Sequence, residues 1–379
     1  MKFMNSVCRI CNGELSEPLL TLKNVPAAAQ KMPSTREELL SDKGIDLTIC
    51  QCRSCGVIQH TSSPVPYFRE VIRASGVSDA MRNFRLEQFR LWVKKYGLDG
   101  KKVFEAGCGQ GEYLSLMARS GVDVTGWEYG QDAVDFCRKH GLSVEQGFFE
   151  NGSEFVGNGQ FDGFAVLNFL EHIPDISAFF RGIRNNLCKD AVGIVEVPNS
   201  DLMLKNHVLT DFSTEHIFYF TEETLTSLLR FQGFEVNKCE TVWNDSIISA
   251  EIRLRKNVDF SYCRLVISSL QEQLNNFLAA HKKVAFWGCG HQTMTILSVA
   301  ELNADKIRFI VDSSPAKQGC FTYATHIPIV APEVLWKSDI DAIIISCGGY
   351  SEEVSGIINS KYPDRFKLAV LDNNKLQTL

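Results

Sequence analysis

Apolar runs alternate with amphipathic stretches in two series along the chain. The first series lies in residues 75–245 and contains the runs KKVFEAG, VDVTGWE, FDGFAVLNF and AVGIVEVPN, with stretches such as EYLSLMARSG between them. The second series starts near residue 283 with KKVAFWGCG, KIRFIVDSS and DAIIISCGG. Strands that alternate with helices are typical of parallel sheets. The pattern therefore predicts two α/β sheets in one chain.

Two longer helical patterns accompany these series. The run DAMRNFRLEQFRLWVKKYG precedes the first series, and VDFSYCRLVISSLQEQLNNFLAAHKK, residues 258–283, lies between the two. A chain of 379 residues is long enough for two or three domains. We place them at 1–65, 66–250 and 251–379. The predicted fold class is α/β, with a small loop-like N-terminal module, a Rossmann-like core and a C-terminal Rossmann-like domain.

Composition and charge narrow the function classes. The net charge is −6 and the Lys and Arg residues form no run, which argues against a nucleic-acid partner. Apolar runs are shorter than a signal peptide or a membrane span requires. We therefore predict a cytoplasmic protein without a membrane partner.

Cysteines cluster at the N-terminus. The chain has 13, and CRICNG and CQCRSCG supply the pairs Cys8-x-x-Cys11 and Cys52-x-x-Cys55. Two such pairs fit a tetrahedral site of four thiolates, as Zn²⁺ prefers, and four protein ligands leave no open position for catalysis. We predict structural zinc. Reduced core cysteines and an iron or iron–sulfur centre are the alternatives, and Cys50 is a spare that could replace a ligand.

The most specific motif is the glycine loop VFEAGCGQGEY. It ends an apolar strand, opens a helix and contains Glu105, Gly107, Gly109 and Gly111. This spacing differs from the G-x-G-x-x-G of dinucleotide loops. It resembles the first motif of class I S-adenosylmethionine (SAM)-dependent methyltransferases. The next strand ends in GWEYG, where Glu128 is placed to accept hydrogen bonds from ribose hydroxyls, with a simple surface acid as the alternative.

The resemblance to SAM methyltransferases extends beyond the loop. It implies that Phe148 and Phe149 in GFFENG border the adenine, and that LNFLEH, with Asn168, borders the methionine end of the cofactor. Another nucleotide ligand is the alternative.

A second glycine loop, VAFWGCGHQ, carries Gly288, Gly290 and His291. The following strand ends at Asp312, and Lys317 comes shortly after it. A lone G-x-G is weak evidence, so three interpretations remain: a domain that binds nothing there, a site for the nucleotide part of a substrate, or the cofactor loop of an NAD-dependent oxidoreductase. We favour the nucleotide site.

A titratable pair, Glu215 and His216, lies among aromatic residues in DFSTEHIFYF. Histidine titrates near neutrality and suits general-base work, and a neighbouring carboxylate can orient it. The alternatives are a hydrogen bond to substrate and a structural role in which the polar pair holds a loop onto the core. His172 could equally shape a helix start, and Tyr67 could cap a hydrophobic cluster.

The order of the parts resembles that of sugar C-methyltransferases, which act on nucleotide-linked 4-keto deoxysugars. The shared features are a four-cysteine module, a SAM core, an EH…YF segment after the strand ending in VPN, and VDSSPAKQG near the C-terminus. The resemblance implies that His216 removes the proton next to the ketone. It assigns Glu215 as the acidic neighbour of this base, and Tyr67 and His172 as supporting groups.

Two further positions are candidates for substrate binding. Ser213 stands where the resembled family has tyrosine, and Asn199 lies in the cleft or caps a turn. Methyl transfer to oxygen or nitrogen of a nucleotide sugar is the alternative that keeps the cofactor. A zinc-containing interaction module is the alternative outside enzymes.

Overall fold

A computed structural model describes residues 7–30, 32–71 and 77–379. The chain divides into two compact units, Met1–Lys256 and Asn257–Leu379. The predicted boundary at residue 250 lies inside the last strand of the first unit, Ile247–Leu254, because the core sheet extends to that strand's end. In the part of the chain that the structure describes, no helix is both long enough and apolar enough to span a membrane.

The first unit contains two sheets and the helices that cover them. Its elements are β1 (Leu20–Val25), α1 (Arg36–Ser41), β2 (Ile45–Gln51), β3 (Ile58–His60), α2 (Asp79–Tyr96), β4 (Lys102–Ala106), α3 (Glu112–Ala118), β5 (Asp123–Glu128), α4 (Gln131–Lys139), β6 (Val144–Gln146), β7 (Phe161–Leu167), α5 (Ile176–Asn185), β8 (Leu187–Pro198), α6 (Ser200–Lys205), β9 (Phe218–Tyr219), α7 (Glu222–Phe231), β10 (Phe234–Val242) and β11 (Ile247–Leu254). Short 3₁₀ turns cover Phe68–Glu70 and Leu170–His172.

The larger sheet has seven strands in the order β10-β11-β8-β7-β4-β5-β6. Strands β4 to β8 run parallel, and β11 pairs antiparallel with β8. The chain order reverses at β4, whose neighbours are β5 and β7. In open parallel sheets, ligands bind outside the carboxyl ends of the strands at such a reversal point. This strand order is that of a class I SAM methyltransferase core and confirms the predicted fold class.

The smaller sheet has four antiparallel strands in the order β1-β2-β3-β9. Its last strand, β9, comes from the segment directly after His216. Ile58 of β3 pairs with Tyr219, and Gln59 pairs with Phe218. The predicted N-terminal module therefore shares a sheet with the later part of the first unit, because β9 completes an edge that residues 1–65 leave open.

Helix α2 is anchored to the larger sheet by a buried ion pair. Ser78 caps its start by accepting a hydrogen bond from the amide of Met81. The fully buried guanidinium of Arg85 pairs with the carboxylate of Glu196 in β8. Gln88 Nε2 donates to the other carboxylate oxygen of Glu196 at 2.6 Å. A buried charge pair with extra hydrogen bonds tolerates little displacement, so it holds α2 in one register.

The second unit contains one sheet, ordered β14-β13-β12-β15-β16-β17, that is parallel except for its last strand. The runs KKVAFWGCG, KIRFIVDSS and DAIIISCGG form β12, β13 and β15, as predicted. The elements are α8 (Tyr262–Ala280), β12 (Val284–Trp287), α9 (His291–Val299), β13 (Ile307–Val311), β14 (Ile329–Val330), β15 (Ala342–Ile345), α10 (Ser351–Lys361), β16 (Lys367–Asp372) and β17 (Lys375–Thr378). Short 3₁₀ turns cover Pro332–Lys337 and Gly348–Tyr350.

Candidate active site

A cavity of about 600 Å³ opens at the carboxyl ends of β4 and β7 in the first unit. Its walls come from the glycine loop, the turn after β7, the start of α2, the loop before β9 and a short N-terminal segment. The lining residues used below are Ala29, Gln30, Glu105, Gly107, Gly109, Asn168, Phe169, Glu171, His172, Glu215 and His216. The cavity thus joins the predicted cofactor motif to the predicted proton-transfer pair.

The glycine loop needs glycine for two separate reasons. Gly107 has a φ of 72°, and a Cβ there would lie 2.4 Å from the ring of Phe169. Gly109 has a φ of 54°, and an added Cβ would meet nothing within 4 Å. Positive φ disfavours side chains at both positions. Both glycines line the cavity, but Gly107 is required for packing against Phe169, whereas the absent side chain of Gly109 leaves open space beside the loop.

Glu128, at the end of β5, lies directly behind the loop. Its carboxylate accepts hydrogen bonds from the backbone amides of Gly109 at 2.9 Å and Gly130 at 2.8 Å. Burial raises the pKa of this carboxyl, although these amides oppose the shift. Glu128 is buried, so the surface-acid alternative is wrong. Glu105, at the end of β4, is also buried and lines the cavity.

Asn168 follows β7 in the left-handed region, with a φ of 51°. Its backbone amide donates to the carbonyl of Glu196 at 2.9 Å. The side-chain Oδ1 is buried and has no hydrogen-bond partner among the residues in the described ranges. Buried polar atoms are usually paired, so this oxygen is available to a donor on a bound ligand.

The two phenylalanines of GFFENG lie outside the cavity lining. Phe149 is 1% exposed and its ring centroid lies 5.5 Å from that of Trp127, inside the core. Phe148 packs edge-on against Tyr129, the residue after Glu128, at 6.4 Å. Phe149 therefore fills the core while Phe148 is only partly buried, and the expected contact of this pair with the adenine stays a prediction.

His172 and His216 face each other in the cavity wall. Their ring centroids are 4.8 Å apart, at an interplanar angle of 73°. His172 Nδ1 lies 2.9 Å from the backbone oxygen of Glu215. A carbonyl only accepts hydrogen bonds, so Nδ1 carries the proton and Nε2 keeps a lone pair. That Nε2 lies 3.8 Å from Oε1 of Glu171.

Burial sets the protonation states of His172, His216 and Glu171. It lowers the pKa of His172 to about 3, with a smaller contribution from His216. It also lowers the pKa of His216, against the opposing effect of Glu215 and Asp211. It raises the pKa of Glu171 to about 8. At neutral pH the cavity therefore holds two neutral imidazoles beside a neutral carboxylic acid.

Glu215 is held by a set of donors at the base of the loop. Its Oε1 accepts from Tyr67 Oη at 2.5 Å, from the amide of Gln30 at 2.9 Å and from the amide of Ala29 at 3.1 Å. Burial raises the pKa of Tyr67, and the contact with Glu215 adds to this shift. Tyr67 thus braces Glu215 from outside the cavity lining. The segment around Ala29 and Gln30 escaped the sequence interpretation because it carries no motif.

Ser213 and Asn199 have structural partners. Ser213 Oγ accepts from the amide of His216 at 3.2 Å and so shapes the loop. Asn199 caps α6, since its Oδ1 accepts from the amide of Asp201 at 3.0 Å and its Nδ2 donates to the carbonyl of Asp245 at 2.7 Å. Neither lines the cavity. Asn199 thus forms the cap that was one of its two expected roles, with both ends of its amide engaged, and its substrate-binding role stays a prediction.

The four predicted ligand cysteines converge in one cluster. Cys8 Sγ lies 3.7 Å from Cys55 Sγ, and Cys11 Sγ lies 3.5 Å from Cys52 Sγ. A tetrahedron with Zn–S bonds of about 2.3 Å has sulfur atoms roughly 3.8 Å apart, so the spacing fits. Backbone amides also point at the sulfurs, for example the amide of Cys55 at 3.4 Å from Cys52 Sγ. Cys50 is buried outside the cluster.

The cysteine cluster is linked to the histidine pair through β3. Strand β3 begins three residues after Cys55. The amide of His60 donates to the carbonyl of Ile217 at 3.1 Å, and the amide of Ile217 donates to the carbonyl of Glu171 at 2.8 Å. These bonds join the backbone of β3 to Ile217, the residue after His216, and join Ile217 to Glu171.

Hydrogen bonds among neighbouring residues hold the second glycine loop in place. Gly288 has a φ of 99°, and a Cβ there would lie 2.8 Å from the carbonyl of Ser346. Asp312 accepts from the amide of Cys289 at 2.8 Å and from Lys317 Nζ at 3.0 Å. Lys317 Nζ also donates to the carbonyl of Cys289 at 2.9 Å. Asp312, a predicted substrate-binding residue, is therefore engaged by its own loop.

Gly290 and His291 lie beside that pair, at the start of α9. Both are exposed. The five residues predicted for the second loop therefore share one edge of the second sheet, with Gly290 and His291 on its open side.

Comparisons with known proteins cover both units. A family model described as a methyltransferase domain matches residues 80–238, and one described as a C-methyltransferase C-terminal domain matches residues 262–359. An Aquifex aeolicus SAM-dependent methyltransferase structure has a TM-score of 0.38 at 15% identity, covering 47% of this chain and 94% of its own. The fold assignment rests on strand order instead of this likeness. The protein is a SAM-dependent methyltransferase.

Its similarity to a particular relative extends over most of the chain. The C-methyltransferase NovU of Streptomyces niveus is 23% identical over 383 residues, covering 92% of this chain and 90% of that protein. A ubiquinone biosynthesis O-methyltransferase of Erwinia tasmaniensis is 37% identical over 101 residues, covering 24% of this chain and 41% of that protein. The chain thus matches under half of the latter relative's length. The methyltransferase class replaces the oxidoreductase and interaction-module alternatives.

Proposed function

We propose that the protein transfers a methyl group from SAM to the carbon next to the ketone of a nucleotide-activated 4-keto deoxysugar. The observation that carries this proposal is the neutral His216, which lines the same cavity as the glycine loop. A carbon acid needs a base before it can attack, and a neutral imidazole supplies one. Similarity to a C-methyltransferase in both units supports carbon as the acceptor.

SAM supplies a methyl group on a sulfonium leaving group. We assign its binding to the loop formed by Gly107, Gly109 and Gly111, with Glu128 behind the loop and with Glu105 and Asn168 in the cavity wall. The open space at Gly109 and the buried acceptor Asn168 Oδ1 support this assignment. The protein's task is then to align the nucleophile and handle one proton.

His216 acts as the base in this proposal. Ser213 orients its backbone, and Glu215, held by Tyr67, fixes the loop that presents it. His172 keeps a lone pair on Nε2, and its ring packs against the ring of His216. In this proposal the segment around Glu215 and His216 thus both holds the loop in place and carries the proton chemistry.

The second unit takes the nucleotide part of the substrate in this proposal. Gly290 and His291, with Gly288 behind them, present the start of α9, where backbone amides favour a phosphate. The Lys317–Asp312 pair places a cation beside that loop. Opening this pair would free Lys317 for a phosphate, and Asp312 for a sugar hydroxyl.

We also propose structural Zn²⁺ at Cys8, Cys11, Cys52 and Cys55. The sulfur spacing and the amides that point at the sulfurs support it. Four thiolates complete the coordination, so no catalytic step is assigned to this metal.

A second candidate is methyl transfer to oxygen or nitrogen of a nucleotide sugar. It is favoured by the similarity of the methyltransferase domain to a ubiquinone biosynthesis O-methyltransferase. In that reaction a base near the acceptor removes an O–H or N–H proton, so His216 would keep its role.

Deuterium exchange separates the two candidates. In D₂O without SAM, the protein is expected to exchange the proton next to the ketone of a nucleotide-linked 4-keto deoxysugar, because His216 removes it before methyl transfer. Mass spectrometry of the recovered sugar measures the exchange. A protein that methylates this sugar with SAM but catalyses no exchange would favour transfer to oxygen or nitrogen.

The cofactor assignment predicts a specific effect of one methyl group. Gly107→Ala is expected to weaken SAM binding by about tenfold or more, since its Cβ would displace Phe169 and its positive φ disfavours alanine. Titration calorimetry measures the affinity. Gly97→Ala is the control: Gly97 has a φ of 64°, but its Cβ would meet nothing within 4 Å. Equal SAM affinity of the Gly107 variant and this control would refute the assignment.

A further inference from the structure

Glu171 is a buried carboxyl group that the sequence motifs did not single out. It lies in the turn Leu170–His172, is 2% exposed and lines the cavity. Its Oε2 is shielded from solvent and has no hydrogen-bond partner within the described residues. One carboxylate oxygen of Glu171 and one ring nitrogen each of His172 and His216 all lie within 4.8 Å of one another. Glu171 therefore places a carboxyl oxygen without a hydrogen-bond partner in the described residues beside His216, the proposed base.

We propose that Glu171 is a catalytic residue that acts as a neutral carboxylic acid and donates a hydrogen bond to the oxygen of the substrate ketone. Negative charge develops on this oxygen when His216 removes the neighbouring proton. The inference rests on the proposed function, because it names the group that stabilises the enolate. A donor placed in a water-poor site is worth far more than the same donor in water.

The surroundings favour the neutral form of Glu171. No Lys or Arg is among the described residues that line the cavity, so no cationic side chain there favours the charged form of Glu171. Burial accordingly raises the pKa of Glu171 to about 8. The titratable side chains around this cavity come from its own turn, the end of β4 and the loop behind it, α3, and the loop before β9: Glu105, Cys108, Glu112, Tyr113, Glu171, His172, Glu215 and His216.

The proposed step balances without another reactant. His216 takes the proton from the carbon next to the ketone, and the electron pair of that C–H bond delocalises onto the ketone oxygen. This oxygen accepts the hydrogen bond from Glu171. The pair then forms the bond to the methyl carbon of SAM, whose sulfur keeps the electrons of the broken S–C bond. The ketone is restored, Glu171 retains its proton, and His216 releases its proton to solvent.

The pH dependence has a defined sign. His216 must be unprotonated, so activity is lost as the pH falls through its lowered pKa. Glu171 must be protonated, so activity is lost as the pH rises through its pKa, about 8 in the free protein. The profile of kcat/KM for the free enzyme is therefore expected to have an alkaline limb near that value.

Two variants of Glu171 test the proposal. Glu171→Ala removes the donor and is expected to lower kcat by about 10²–10³-fold. Glu171→Gln keeps a neutral N–H donor, so it is expected to retain activity within about tenfold of wild type and to lose the alkaline limb. The exposed Glu235→Gln is the control and is expected to keep both the activity and the limb.

Specific outcomes overturn the inference. Turnover of Glu171→Ala within threefold of wild type, roughly 0.7 kcal/mol, would do so. An unchanged alkaline limb in Glu171→Gln would do so as well, and this result decides the matter if the alanine variant fails to bind SAM. A need for a second divalent ion per chain would assign the three side chains to a metal instead. Failure of the proposed function is distinguishable, since wild-type protein would then show no exchange next to the ketone.

Discussion

His216→Ala is expected to lower kcat by about 10²–10⁴-fold while SAM affinity stays near that of wild type. The imidazole lines the cavity and is the proposed base, whereas the glycine loop that we assign to SAM lies on other elements of the wall. Turnover at saturating substrate and SAM titration together measure the two effects. Loss of the base should also abolish deuterium exchange next to the ketone.

The matched control is His140→Ala. His140 is exposed at the end of α4, where its Nδ1 lies 2.8 Å from the carbonyl of Phe136. This variant removes an imidazole from the same unit without touching the cavity, so its turnover is expected to equal that of wild type. Near-normal turnover of His216→Ala would show that His216 is not the base and would leave it a structural role in holding the loop.

Acid inactivation gives a second check on His216. Burial lowers its pKa below the usual value, near 6.5, so the neutral base survives to lower pH than a free imidazole would. The acid limb of kcat/KM should therefore lie below pH 6.5 in the wild type. A limb above that value would show that the cavity does not disfavour the imidazolium ion.

Local sequence patterns predicted the parts of the site that local physics determines. Apolar runs of strand length became β4, β5 and β7 because parallel strands bury both faces. Spacing predicted that Gly107 lies in a tight turn after β4 and that Glu128 ends the next strand beside it, and both residues have these positions. The convergence of Cys8 with Cys55 likewise follows from two knuckles that share one site.

Contacts between distant segments were not predictable from such patterns. The amide of Gln30 reaches Glu215 across 185 residues, and β9 joins a sheet whose other strands precede residue 61. Glu171 was not singled out because its proposed role depends on its burial beside His216, which no spacing reveals. The sequence also did not distinguish Phe148 from Phe149, because adjacent aromatic residues look alike, although only Phe149 is fully packed in the core.

Cys52→Ser is expected to have the largest effect on stability. Structural zinc contributes about 10–16 kcal/mol in isolated zinc-finger peptides, so loss of one of the four proposed ligands should release the metal and unfold the knuckle. We expect about one zinc per chain in the wild type, much less in the variant, and a lower melting temperature. Metal analysis by mass spectrometry and thermal unfolding measure these changes.

The same variant should also lose turnover, because β3 connects the knuckle to the cavity wall. The amide of His60 binds the carbonyl of Ile217, next to His216, so a disordered knuckle releases the loop that carries the base. Cys50→Ser is the matched control: this cysteine is buried on β2 outside the cluster and should keep zinc and turnover. If Cys52→Ser lost zinc but kept full turnover, the proposed link between the metal and the base would be wrong, although the metal site itself would stand.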